Sequence, residues 1–394
     1  MRKRLPLLLL CAMVLLLSGC WDRTEVNDVA IILGAAIDRK NDKQIEMSVQ
    51  IFIPRAFGGA GTGGGGAGGA KMTLVRSGAG NNISDAMAQL QSKLPRRLFW
   101  GHCKVIVFGE EAARTGIQTF MDFLLRYPEV RERANMFVSK GKASKTLELI
   151  PPLERASSEV IREMSDLRLG MKVTLKDLNG MLTSLSHAAA LPMIDILKSR
   201  RGEKPLETIP YITGTSILRG GEMVGELSLK KTKGLMWLRE EIHVTTVTVP
   251  IKELGGFVSL NPIRESTKLI PQIEKGNMKM IVQIRTEGDV IQNGTRYNVA
   301  DARILKILER NMKEDIRDRM ELALHQIQKG FKADVFGFAE EFHRKYPKQW
   351  AKVQDRWDTE FPKVEVKFDL DSYIRRPGLI TDPAGLPEDK VIKK

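Results

Sequence analysis

The stretch Lys104–Val138, KVIVFGEEAARTGIQTFMDFLLRYPEVRERANMFV, decides the fold class. It opens on the apolar run Lys104–Phe108, which reads as a buried strand. From Glu110 to Tyr127 the spacing changes. Ile117, Phe120, Phe123, Leu124 and Tyr127 recur at three- and four-residue steps, the stripe of an amphipathic helix. Ala134–Val138 is strand-like again. Strand, helix and strand in succession predict a layered α/β or α+β domain.

Upstream, Ser84 stands where it can cap a helix with Met87, Leu90 and Leu94 on one face, stopped by Pro95. Val29–Ile37 is an apolar run. Beyond the polar turn Arg39-Lys40-Asn41-Asp42-Lys43, Ile45, Met47, Val49, Ile51 and Ile53 alternate with Glu46, Ser48 and Gln50, so the pair reads as a hairpin ended by Pro54. Residues 58–69 form a low-complexity glycine tract. Gly61-x-Gly63-x-x-Gly66 nominally matches a dinucleotide fingerprint, but so glycine-rich a tract matches by composition alone. Lys71 follows Ala70 and precedes Met72, so the Walker pattern fails, and a flexible surface loop is the expectation.

Downstream, Tyr211–Leu218 and Met223–Leu229 read as strands around Gly220-Gly221, and Leu235–Glu241 as a short helix. His243–Ile251 is a β-branched run, and Met278–Thr286 another strand. A long amphipathic helix is predicted over Val299–Gln328, with Ile304, Leu308, Met312, Ile316, Met320, Leu324 and Ile327 on one face. Val364, Val366, Phe368 and Leu370 alternate with charged residues as a late strand. The expected fold class is mixed α+β or α/β, multi-domain, with layered mixed sheets packed with helices. Pro151-Pro152 and the Arg200–Pro210 stretch are the boundary candidates. The expected division is therefore a removed segment 1–19, an N-terminal α/β region 20–205 with a further split near 150, a C-terminal α/β domain 210–382 and a polar tail 383–394. Beyond Gly378 the chain reads as disordered.

The chain starts MRKRLPLLLLCAMVLLLSGC. Arg2, Lys3 and Arg4 precede an apolar run from Leu5 to Leu17, shorter than the roughly 20 residues that span a bilayer core. A basic flank, a short apolar run and small residues before Cys20 describe a signal peptide rather than an anchor helix. Leu17-Ser18-Gly19-Cys20 resembles a bacterial lipobox, in which the mature chain begins at a lipid-modified cysteine. A diacylglyceryl group on Cys20 supplies the two acyl chains that stable anchoring takes, and would hold the body on the outer face of a cytoplasmic membrane.

The formal charge is +14, and +11 once three basic residues leave with the signal. That balance suits anionic lipid headgroups. Basic residues are dispersed among acids, with short clusters such as Lys230-Lys231 and Arg375-Arg376, which does not favour nucleic acid as a partner. Of three cysteines, Cys11 leaves and Cys20 takes lipid, so Cys103 is left alone as a buried, unreactive thiol. No catalytic or metal-binding set emerges. His102, His187, His243, His325 and His343 lack metal-ligand spacing, and no Gly-x-Ser-x-Gly occurs. Ser139-x-x-Lys142 and Ser228-x-x-Lys231 lack the companion Lys-Thr-Gly. Neither an enzyme nor a resident cofactor is expected.

Cys20-Trp21-Asp22-Arg23-x-Glu25-x-Asn27-Asp28, followed by the run to Gly34 and Ile37-Asp38, resembles the start of the Ger(x)C family, the lipoprotein C subunits of GerA-type spore germinant receptors. The resemblance continues through Leu98-Phe99-Trp100-Gly101-His102-Cys103-Lys104-Val105-Ile106-Val107 and Leu191-Pro192. It persists in Ile212-x-Gly214-x-Ser216, Val224-Gly225-x-Leu227, Asp334-Val335-Phe336-Gly337-Phe338 and Tyr346-Pro347-x-x-Trp350. It ends with Phe361-Pro362-x-Val364-x-Val366 and Ile374-x-x-Pro377-Gly378. It implies a non-catalytic α/β body on the spore inner membrane, assembled with two integral-membrane subunits that respond with it to small nutrients. Whether this subunit touches the germinant is left open.

Trp21, Asp22, Arg23, Glu25 and Asn27 would lie at the headgroup layer, where they either meet a partner or only tether the body. Trp100 and Trp350 are candidates for interface anchors or for core, and Gly214 and Gly225 for turns or close packing. Two alternatives from other classes are a solute-binding lipoprotein feeding a transporter and a surface-anchored enzyme.

Overall fold

The computed structural model describes residues 28–54, 72–243 and 246–392. Cys20, Trp21, Asp22, Arg23, Glu25, Asn27 and the glycine tract lie outside these residues.

The chain opens with the hairpin β1 (Val29–Arg39) and β2 (Ile45–Phe52), to which β3 (Thr73–Gly80) adds antiparallel. Helix α1 (Ile83–Gln91) and β4 (Arg97–Phe99) lead to β5 (Val105–Gly109), and β4 and β5 both pair parallel to β1. Then come α2 (Glu110–Arg114), α3 (Gln118–Arg126), β6 (Asn135–Ser139), α4 (Ser144–Leu147), α5 (Ser157–Asp166), α6 (Leu175–Leu182) and β7 (Ala188–Ile196). Strands β8 (Pro210–Arg219) and β9 (Glu222–Ser228) finish a nine-stranded mixed sheet ordered β3-β2-β1-β5-β6-β7-β8-β9, with β4 beside β1.

The central parallel strands β5 and β6 are buried at every position because both faces are covered. Ile106 and Phe108 join Leu90, Phe120 and Leu124 in one core, while Val105, Val107 and Phe137 meet Leu147 and Ile161 in another. The same burial corrects the half-exposed reading of β2. Ser48 and Gln50, which alternation placed on a polar face, are fully buried. The Gln50 amide Nε2 donates to Leu147 O (2.8 Å) and Ser157 Oγ (3.1 Å), and its Oε1 accepts from the Ser158 hydroxyl (2.7 Å).

Two helix expectations change. Asn82, not Ser84, caps α1, its Oδ1 accepting from Asp85 N at 2.9 Å. The helix expected over Glu110–Tyr127 is two helices, because Gly116 takes φ +107° and ends the first. Ile117 restarts the chain, its N–H bonded to Gly221 O.

After β9, α7 (Leu229–Leu238) leads to a second, four-stranded sheet. It is ordered β10 (Val247–Ile251), β11 (Gly256–Glu274), β12 (Asn277–Asn293), β13 (Glu365–Arg376), antiparallel except for the parallel pair β12–β13. Lys275 and Gly276, both at positive φ, turn the β11–β12 hairpin. Helix α8 (Ala302–His325) carries the predicted buried stripe from Ile304 to Leu324, capped by Asp301. It runs on as a wider π-helical segment, Gln326–Phe331, so the helical stretch is longer at its C-terminus than the pattern indicated.

The expected boundaries do not separate sheets. Pro151-Pro152 lies between α4 and α5, which pack on the same sheet, and the stretch 205–210 joins β7 to β8, which pair with each other. The change of sheet falls after β9, and α7 bridges it by packing on β8, β9 and α8. A single apolar core continues from one sheet into the other. The tail also departs from expectation: Val299 N–H bonds Thr381 O at 3.0 Å, and Ile392 bridges to Tyr297.

Candidate functional site

The motif residues assemble into two clusters, one on each sheet. In the first, β4 sets Leu98 and Phe99 beside Ala30 and Ile31 of β1. The chain then buries Trp100, whose ring lies edge-on to Phe123 (6.2 Å) and Tyr127 (6.4 Å). Glu129 accepts the Trp100 backbone N–H at 3.1 Å and pairs with Arg97 at 3.4 Å. Cys103 is buried, and burial pushes its thiol up to about 12. Its Sγ–H donates to Val105 O at 3.4 Å.

The second cluster gathers residues that lie far apart in sequence. Asp334 is buried, and its Oδ1 accepts the backbone N–H groups of Phe336, Gly337 and Phe338, each at 3.2 Å. Its Oδ2 accepts from Ala339 N (2.8 Å) and from the indole of Trp357 (3.0 Å). These bonds terminate the start of α9 (Phe338–Lys345) with a carboxylate. Burial raises the Asp334 carboxyl to about 6, and the N–H donors oppose that rise. Trp350, in the turn α10 (Pro347–Trp350), lies edge-on to Trp357 at 5.0 Å. Phe361 packs on Phe338 and Trp357, and the buried Gln328 amide donates to Phe361 O and Val364 O, each at 2.9 Å.

Trp100 and Trp350, the interface candidates, are thus both core side chains, 1% and 2% exposed, and offer no surface to a partner. Gly214 and Gly225 are close-packing positions: a Cβ would overlap Leu227 O at the first and the Phe331 ring at the second. Asp334 entered the sequence reading only as part of a family motif and Gln50 only as a polar-face residue, while Glu265 was not singled out. A lone acid inside the apolar run Ala333–Phe338 was the available signal for Asp334.

Glu265, on β11, has both carboxylate oxygens buried, with the Ile242 backbone and the Thr267 side chain as their polar neighbours. Burial first, and then the Glu240 charge, raises it to about 8. Among the described residues no group of three or more His, Cys, Asp or Glu is placed to hold a metal ion. A groove of about 600 Å³ lies between Lys230-Lys231 and the α8 residues Asp318, Glu321 and His325, open to solvent and of mixed charge. Ser139 is buried, its hydroxyl donating to Lys140 O at 3.3 Å, and Lys231 reaches Gln326. No described helix is long and apolar enough to cross a membrane.

Comparison with known proteins agrees with the motifs. Residues 22–196 match the spore germination protein N-terminal domain, and residues 213–378 match the spore germination B3/GerAC-like C-terminal domain. The two matched regions meet between β7 and β8, inside the first sheet. Spore germination protein KC of Bacillus subtilis (strain 168) is 28% identical, the alignment covering 97% of this chain and 98% of that protein. Spore germination proteins B3 and A3 of the same organism are 23% and 21% identical, over 91% and 95% of this chain and 94% and 98% of theirs. The crystal structure of the GerBC protein shares the fold, with a TM-score of 0.55 at 19% identity over 87% of this chain and 97% of that one. With both family domains matched in order along nearly its whole length, the chain belongs to the GerAC-like family of spore germination proteins.

Proposed function

We propose that this protein is the lipid-anchored C subunit of a spore germinant receptor, held on the outer face of the inner membrane through a diacylglyceryl group on Cys20. There it assembles with two integral-membrane subunits that, with it, trigger germination in response to small nutrients. The observation that carries this reading is the pairing of a full-length family match with a lipobox at the start of the chain. The body adds support: its motif residues build packing and capping clusters rather than convergent reactive groups.

Cys20 sits nine residues before Val29, the first residue of an interior strand of the larger sheet. A tether this short spans at most about 32 Å. The sheet is therefore kept near the membrane and within reach of integral partners. Affinity purification of the tagged protein from detergent-solubilised spore membranes tests the assembly. Recovery of two integral-membrane proteins in constant ratio is expected. Recovery of transporter components, with a small molecule retained by the protein, would favour a solute-binding lipoprotein instead.

A further inference from the structure

The two sheets end in β3 and β9, and in β10 and β13. Three of these edges are guarded. On β3, Arg76 Nη1 donates to Val75 O at 3.0 Å and Lys93 Nζ to Ser77 O at 3.1 Å. On β9, Gln326 Nε2 donates to Glu226 O at 3.1 Å. Strand β10 has only five residues, and one of them, Pro250, lacks an N–H. Side-chain caps, short strands and proline all keep a sheet edge from pairing further.

The start of β13 has no such guard. The two-residue turn Lys275-Gly276 makes Glu274 and Asn277 a hydrogen-bonded pair, so odd-numbered residues of β12 bond β11 and even-numbered ones bond β13. In the parallel register, odd-numbered residues of β13 then face β12, and Val366, Phe368, Leu370, Ser372 and Ile374 turn their backbone groups outward. The Ile374 N–H agrees, since it donates to Glu309 Oε1 of α8 at 3.0 Å. Leu370 and Ser372 are buried. Val366 and Phe368 are half-buried, and their outward N–H and C=O groups bond nothing among the described residues. Helix α8 runs antiparallel beside the strand: Ser372 Oγ donates to Glu309 O at 2.7 Å, and Gln328, past the end of α8, donates to Val364 O at 2.9 Å. Between helix and strand lies a groove of about 450 Å³, with Leu324, Val366 and Phe368 as its apolar lining.

We infer that the groove between β13 and α8 takes an extended segment of an integral-membrane partner, which joins the smaller sheet as a fifth strand. The inference rests on the assembly proposed above and names its contact. Two observations converge there. Outward N–H and C=O groups at strand spacing are completed by another extended backbone, and every second side chain of that backbone meets the apolar lining beside them. Charge does not select the segment, because Arg317, His325, Lys329 and Lys367 stand against Glu321 and Glu365. The partner is therefore defined by an extended backbone with apolar residues at alternate positions.

The test uses the full-length protein purified with its partners from detergent-solubilised spore membranes. Hydrogen exchange at the Val366 and Phe368 amides should be about tenfold or more slower in the assembly than in the isolated protein. Val366→Pro removes an outward N–H and no bond to β12. It is expected to lower partner recovery about tenfold or more, with circular dichroism confirming the fold. Val75→Pro makes the same change on the guarded edge of β3 and should leave recovery unchanged. Unprotected Val366 and Phe368 amides in an intact assembly would overturn the groove contact alone, whatever the variants do, and so would full recovery with Val366→Pro. Protection that appears in the isolated protein as its concentration rises would assign the edge to a second copy of this chain and overturn the partner segment. Failure of the parent protein to recover any integral-membrane partner would overturn the assembly and the contact together.

Discussion

The indole N–H of Trp357 donates to Asp334 Oδ2 at 3.0 Å, joining the start of α9 to an aromatic cluster 23 residues further along the chain. Four backbone N–H groups share the same carboxylate. Asp334→Ala strands these donors in a buried site. Each unmade bond there costs about 1–3 kcal/mol, so a loss of more than about 3 kcal/mol is expected. Trp357→Phe, which removes a single donor to a charged group, should cost about 1.5–3 kcal/mol. Urea unfolding of the two variants checks both the values and their order.

Glu265 gives a pH dependence with a definite sign. In the fold it holds its proton up to about pH 8, whereas its ordinary value is 4.5. Between these values the native state binds more protons than the unfolded chain, so stability falls as pH rises through that window. Glu265→Gln cannot ionise and should abolish the fall. It is expected to be more stable than the parent by on the order of 3 kcal/mol near pH 9, with little difference near pH 4. Melting curves across this range would show parallel lines if Glu265 were instead ionised in the fold.

Gly234 of α7 lies directly on Arg319 O of α8, the contact through which the two sheets join. Gly234→Ala must push the helices apart and should cost about 1–3 kcal/mol. Gly330→Ala makes a useful contrast, since its Cβ would meet only Gln326 Cγ at 3.9 Å. In that helical segment the added methyl should be neutral or stabilise by about 0.5–1 kcal/mol. Thermal unfolding of the pair tests whether the α7–α8 contact is as close as described.

Cys103 should be chemically silent. It is buried and its thiol is pushed up to about 12, so the thiolate is scarce at neutral pH. A thiol reagent is expected to modify it at the rate of unfolding and to accelerate in denaturant. Rapid labelling of native protein would place Cys103 outside the core.

Much of the fold was legible where local pattern and final environment agree. The β1–β2 hairpin and the α8 stripe follow directly from apolar spacing, because one repeat decides which face is buried. Gln50 misled because its polarity suggested solvent, whereas its partners, Ser157 and Ser158, arrive from more than 100 residues away. Strand β11 went unrecognised: Pro262 and Pro271 interrupt it, and its partner residues in β12 supply the register that holds it extended. The division at 205–210, read from charge, Gly and Pro content, falls between the two family-matched regions 22–196 and 213–378, but the pairing of β8 with β7 across it is a long-range fact that composition does not carry. Motif spacing identified the family, and burial decides between the two readings of Trp100 and Trp350 in favour of core. The features that mark this family in the described body are those that pack it.

The central claim is that a lipid on Cys20 places this body where a germination response needs it. The most direct measurement is Cys20→Ala in spores, following membrane retention and nutrient-triggered germination together. The account predicts release from the membrane and loss of the response to at least one nutrient. Release with normal germination to every nutrient tested would contradict it.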